Sequence, residues 1–187
     1  MFWKRRMNLS NIRYVFGDAA YPDVSSGPVM LAHVCNDVGK WGAGFTKAVE
    51  RRWPGSGERW KRVVEILDDR LGQICFDSTP ADADHIILVN MVAQHGVGTS
   101  QIRVSYPALH KCLKMLAEVA KEGMGGPMIP VHMPRIGCGL AGGRWEVVEP
   151  IIRETLVRAG VEVVVYDLPQ AQTTSLACGT PQLAASP

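Results

Sequence analysis

Long apolar runs, zinc-type cysteine spacing and an excess of charge of one sign are all missing from this 187-residue chain. No window approaches the roughly 20 continuous apolar residues of a membrane-spanning helix, so no membrane partner is expected. The start is basic at Lys4, Arg5 and Arg6, but polar Asn8 to Asn11 follow where a signal peptide carries its apolar core. Export is therefore not expected, and a cytoplasmic protein is. The five cysteines (Cys35, Cys75, Cys112, Cys138 and Cys178) form an odd, scattered set without a CxxC pair. They read as reduced thiols, and no metal or cofactor is expected. Lys plus Arg number 20 against 18 Asp plus Glu, and the basic residues near Lys4, Arg51, Arg52, Lys61 and Arg62 are interspersed with acids. That balance excludes nucleic-acid binding by bulk charge.

What is present is a 47% hydrophobic composition, enough for one compact α/β-type domain, expected to be a monomer. Strands are predicted at Ile12 to Phe16, Val29 to Val34, Gln73 to Phe76, His85 to Val92, Met128 to Met133 and Val161 to Tyr166. Helical spacing marks Phe45 to Trp53, Glu58 to Leu67, Tyr106 to Glu122 and Arg144 to Ala159. Strands alternating with helices predict a mainly parallel sheet covered on both faces, with ligands bound beyond the carboxyl ends of the strands. Residues 1–11 read as an N-terminal extension and 169–187, rich in Gln, Thr, Ala, Ser and Pro, as a disordered tail.

Glycine is the abundant residue, at 19, and nine of them fall in three short segments: Gly39, Gly42 and Gly44; Gly96 and Gly98; Gly137, Gly139, Gly142 and Gly143. The first and third segments each follow a predicted strand and open a helix. Paired glycine-rich loops in that setting suit backbone-amide binding of a diphosphate. No GK[ST] follows either loop and neither completes GxGxxG ahead of an acidic residue, which argues against an NTPase or a standard dehydrogenase.

The chain resembles the macro domain family, the ADP-ribose-binding α/β fold, at Gly17 and Asp18, at Asn36 with Gly42 to Phe45, at Asn90, and at Met133 to Leu140. The last run looks particularly like the branch of terminal ADP-ribose glycohydrolase and the yeast-type ADP-ribose-1″-phosphatases. The resemblance covers 12–168 and implies a three-layer α/β/α domain with a mixed, mostly parallel six-stranded sheet. It implies that Asp18 accepts from the adenine amino group with the Ala19 amide nearby, and that Asn36 reaches the distal ribose hydroxyls. Gly42, Ala43, Gly44 and Phe45 would flank the distal ribose and phosphates. Gly137, Cys138, Gly139 and Leu140 would supply amides to the diphosphate, and Tyr166 would pack beside adenine. Without the motif, Asp18 reads as a turn cap and Tyr166 as an ordinary strand-end aromatic.

The catalytic positions depart from the family's pattern. Gln94 stands where the glycohydrolase branch has its lysine, Ala141 where that branch has an aspartate, and Thr46 where another hydrolase branch has one. Asp37 and His95 are left as candidates, the first to orient or deprotonate a water, the second to transfer a proton or, alternatively, to make a structural hydrogen bond. Trp41 and Trp145 are candidate walls of the pocket or simple packing partners of the glycines. Arg135 suits phosphate or a carboxylate that holds the loop. Cys35 and Cys138 read as nucleophiles or as small buried hydrophobes. Two functions follow: hydrolysis at the distal ribose of ADP-ribose derivatives, or a reader of ADP-ribose or ADP-ribosylated macromolecules without turnover.

Overall fold

A computed structural model describes residues 12–77 and 85–168. The expected extension at 1–11, the tail at 169–187 and Cys178 lie outside the described residues. Six strands, β1 (Arg13–Phe16), β2 (Val29–Asn36), β3 (Ile74–Asp77), β4 (Ile86–Gln94), β5 (Val131–Pro134) and β6 (Val163–Asp167), form one sheet in the order β1-β6-β5-β2-β4-β3. Every pairing is parallel except β3 with β4, so the sheet is mixed and mostly parallel, as expected.

Two layers of helices cover it. Along β2, alternate residues face opposite sides: Met30 and Ala32 join the core under α3 (Tyr106–Glu122) and α4 (Trp145–Ile152). Leu31 and Cys35 join the clusters under α1 (Phe45–Arg52) and α2 (Ser56–Glu65). Burial on both faces explains why β2 and β4 read as nearly continuous apolar runs. In α3 the apolar stripe at Leu109, Leu113 and Leu116 is fully buried, each leucine contributing about 1.5–3 kcal/mol by removal from water. Ser105 caps α3 by accepting the Ala108 amide, and Gly123 in the left-handed region ends it.

The last long helix departs from expectation. Instead of one α-helix over Arg144 to Ala159, α4 stops at Ile152 and passes into a π-helical turn, Arg153–Val157. Pro150 lies inside α4 and has no amide to donate. Val148, Ile152 and Leu156 are all fully buried at successive spacings of four. An α-helix would drift such a row off the core, and the wider turn brings Leu156 back onto it. Among the described residues no helix is long and apolar enough to cross a membrane.

Candidate functional site

At the carboxyl ends of β1, β2, β4, β5 and β6 the loops enclose a cavity of about 590 Å³. Two glycine-bearing loops form facing walls. The first runs from β2 to α1, where the Thr46 hydroxyl accepts the amides of Gly42 at 3.0 Å and Ala43 at 3.2 Å and donates to the Ala43 carbonyl. Gly44, at φ 59°, then turns the chain into α1. The second runs from β5 to α4. There the Gly143 amide donates back to the Gly137 carbonyl at 2.8 Å, and Cys138 and Gly142 donate to Arg135 and Gly139. Gly137, Gly139 and Leu140, all on the cavity wall, keep amides that donate to no acceptor among the described residues. A Cβ on Gly44 would stand 3.5 Å from the Leu140 Cδ1, so the loops meet across the cavity.

Of the residues singled out from sequence, Asp18, Ala19, Ala43, Gly44, Phe45, Gly137, Gly139, Leu140 and Tyr166 line this cavity. Five do not. Asn36 is buried, its Nδ2 donates to the Lys40 carbonyl at 2.7 Å and its Oδ1 accepts the Val38 and Lys40 amides, so it organises the loop from inside. Gly42 lines a separate depression between that loop and α2, where Trp41 also lies. Cys138 turns toward the core, and burial pushes its thiol up to about 11. Burial likewise raises the Cys35 thiol well above the ordinary range; neither is poised as a thiolate nucleophile. Asp37 and His95 come together, with Oδ2 and Nδ1 at 2.6 Å, but beside the cavity.

The alternatives left open in the sequence resolve in part. Arg135 holds a carboxylate: its guanidinium donates to both oxygens of Asp167, at 2.5 and 2.8 Å, and stacks over Tyr14 and Trp145. That pair keeps the Asp167 carboxyl below its usual range. Trp145 is thus a loop support rather than a wall. Asp18 caps the turn: one oxygen accepts the Ala20 amide at 3.0 Å, the other lies 3.5 Å from Arg51, and the residue lines the cavity.

Sequence reading missed His33, which lines the cavity yet is only 1% exposed. Its Nδ1 is 3.7 Å from the Cys35 Sγ, and its Nε2 has no partner among the described residues. Burial lowers its pKa to about 4, so the ring is neutral at pH 7. A polar residue on the Leu31 and Cys35 face, in the middle of the apolar run Val29 to Cys35, was the available signal. Gln94, also on the wall, donates to the Gly96 carbonyl, and Ala141 is buried beside it in the lining. Among the described residues no group of three or more His, Cys, Asp or Glu is placed to hold a metal.

No family model matches the chain. Across 84% of its length and 99% of the other chain, it is 42% identical to a macrodomain protein from Streptomyces coelicolor, with a TM-score of 0.66. The chain belongs to the macrodomain family. Among curated relatives, it is 28% identical to the human ADP-ribose glycohydrolase OARD1, covering 85% of this chain and 93% of that protein. It is also 28% identical over 173 residues to the mouse chromodomain-helicase-DNA-binding protein 1-like, of which it spans 19%.

Proposed function

We propose that this macrodomain binds ADP-ribose in the cavity and hydrolyses a bond at the distal ribose of ADP-ribose derivatives. One observation carries the reading: the unengaged amides of Gly137, Gly139 and Leu140, all on the β5–α4 loop and facing the β2–α1 loop across the cavity, are suited to a diphosphate. In this reading Asp18 and Tyr166 take the adenine end and Gly44, Phe45 and Gln94 the distal ribose end of the cavity they line. The name of OARD1 supports glycohydrolase chemistry.

For the chemistry we assign Asp37 and His95. The carboxylate engages Nδ1 and leaves Nε2 of a largely exposed imidazole for a proton. Water adds to the anomeric carbon as the bond to the departing oxygen breaks, and its proton passes to Nε2. An alcohol leaving group then takes that proton; a carboxylate departs without it. Because the pair stands beside the cavity, it suits a bond at the exit, where a modified macromolecule would emerge.

A second reading, a reader without turnover, is favoured by Gln94 and Ala141 in the wall, where the resemblance implies lysine and aspartate in the glycohydrolase branch. Calorimetric titration with ADP-ribose, followed by incubation with ADP-ribose-1″-phosphate, O-acetyl-ADP-ribose and glutamate-, serine- and nucleic-acid-linked ADP-ribose, separates the two. Turnover of one substrate supports the hydrolase, binding without turnover selects the reader, and no heat with ADP-ribose removes both.

A further inference from the structure

The Tyr166 ring lines the cavity, but its hydroxyl points to a different task. It accepts the backbone amide of Asp23 at 3.0 Å and lies 3.0 Å from Nδ1 of His132, itself 3% exposed on β5. Burial lowers the His132 pKa to about 4, so the neutral ring can accept the phenol proton at Nδ1. With the His132 proton on Nε2, the hydroxyl receives one hydrogen bond and gives one, which fixes both its position and its direction.

Asp23 sits in the middle of the long connection from β1 to β2 that begins with Gly17 and Asp18. Near its start that connection is held from α1, by Arg51 against Asp18 and by Arg52, which donates to the Ala20 carbonyl and stacks on Tyr21. Beyond Tyr21, the Asp23 amide ties it to β6 by hydrogen bonding, next to Val24, which packs on the apolar cluster containing Leu31, Val164 and Tyr166. Tyr166 also packs against Gly17, where a Cβ would stand 3.6 Å from its ring. One side chain therefore touches the connection on both sides of Asp18.

We infer that Tyr166 and His132 act as positioning residues for base selection: the His132–Tyr166 hydroxyl pair ties down the Asp18 connection and so sets the Asp18 carboxylate that distinguishes an amino group from a carbonyl on a purine. The inference rests on the proposed ADP-ribose binding. His132 is too deep to meet the ligand and acts through the phenol alone.

The test compares ADP-ribose with its inosine counterpart, which differs by a carbonyl in place of the amino group. Both are titrated calorimetrically into the unmutated protein, Tyr166→Phe, His132→Leu, His132→Asn and the Tyr166→Phe/His132→Leu double variant, with Tm recorded for each. Tyr166→Phe and His132→Leu should each lose about five- to tenfold in ADP-ribose affinity and about twofold or less for the inosine ligand, so the preference narrows. His132→Asn, which keeps an acceptor near the Nδ1 position, should restore the preference. The double variant should lose no more than either single one, because both remove the same link. An unchanged preference in Tyr166→Phe, or a parallel fall for both ligands that follows Tm, would overturn the inference. Amide exchange read without ligand tests the tie itself: residues 23–27 should exchange faster in Tyr166→Phe, and unaltered exchange also overturns it. Failure of the unmutated protein to bind either ligand would instead count against the proposed function.

Discussion

Asp37 and His95 join two loops at once: Oδ2 of the carboxylate lies 2.6 Å from the imidazole Nδ1, while Oδ1 accepts the Gly96 amide at 2.8 Å. The Asp37 carbonyl also accepts from Arg70 at 2.7 Å, and its amide donates to Gln94. With its backbone held by Arg70 and Gln94 and its carboxylate by Gly96, Asp37 fixes the ring it holds. Asp37→Ala should lower hydrolysis by about 100-fold, within the range of a lost acid–base group, with ADP-ribose affinity changed by less than about threefold. Single-turnover rates beside calorimetric affinities check this, and an undiminished rate removes the pair from the mechanism.

His33 and His132 predict how stability changes with pH. Both pKa values are lowered to about 4 by burial from the ordinary 6.5. His33 is packed with Cys35, Asn90, Trp41 and Phe45, and feels the Asp77 charge; His132 has Tyr166, with Arg13 and Asp23 acting at longer range. Depressed histidine pKa values mean that the unfolded chain binds protons the folded chain refuses. Stability therefore falls as pH drops from about 6.5 toward 4, by about 2 kcal/mol per imidazole at pH 5. Urea unfolding at pH 7 and pH 5 measures the loss, and His33→Gln should remove roughly half of it.

Gly143 has no room for a side chain: a Cβ there would stand 2.5 Å from the Gly137 carbonyl oxygen and 2.7 Å from Val104. Since the nearer obstacle is backbone, the whole β5–α4 loop must shift. Gly143→Ala should cost about 2 kcal/mol or more and weaken ADP-ribose binding with it. Gly139 is the control, because a Cβ there would meet nothing within 4 Å. Gly139→Ala should leave the urea midpoint unchanged.

Much of this arrangement was legible in the chain itself. The bounds of α3, from Tyr106 to Glu122 with Gly123 as its stop, follow from periodicity and a glycine signal, both local properties. The cavity-lining glycines were also readable, because strand–glycine–helix is a local pattern. Asn36 was not: its amide could equally serve a ligand or the loop, and only the fold brings the Lys40 backbone to both its ends. The break in α4 was hidden because the apolar spacing at Val148, Ile152 and Leu156 fits a continuous helix until the drift of the row is considered.

Arg135→Lys tests the support behind the β5–α4 loop. Lysine keeps the charge but loses the two-pronged contact with Asp167 and the flat stacking on Tyr14 and Trp145. Stability should fall by about 1 kcal/mol, read from urea midpoints, since the pair is partly exposed to solvent.

The carboxylates beside Arg51 and Arg135 bear on how fast a ligand arrives. Of the cavity's described cations, these two already face Asp18 and Asp167, which leaves Lys47 as a weak beacon for an anionic nucleotide. Without long-range steering, association should run nearer about 10⁵–10⁶ M⁻¹s⁻¹ than the electrostatically accelerated range, and stopped-flow rates should change little between low and physiological salt. Capture would then depend on collision and fit inside the loops, and residence time, set by the glycine amides, would distinguish one ligand from another.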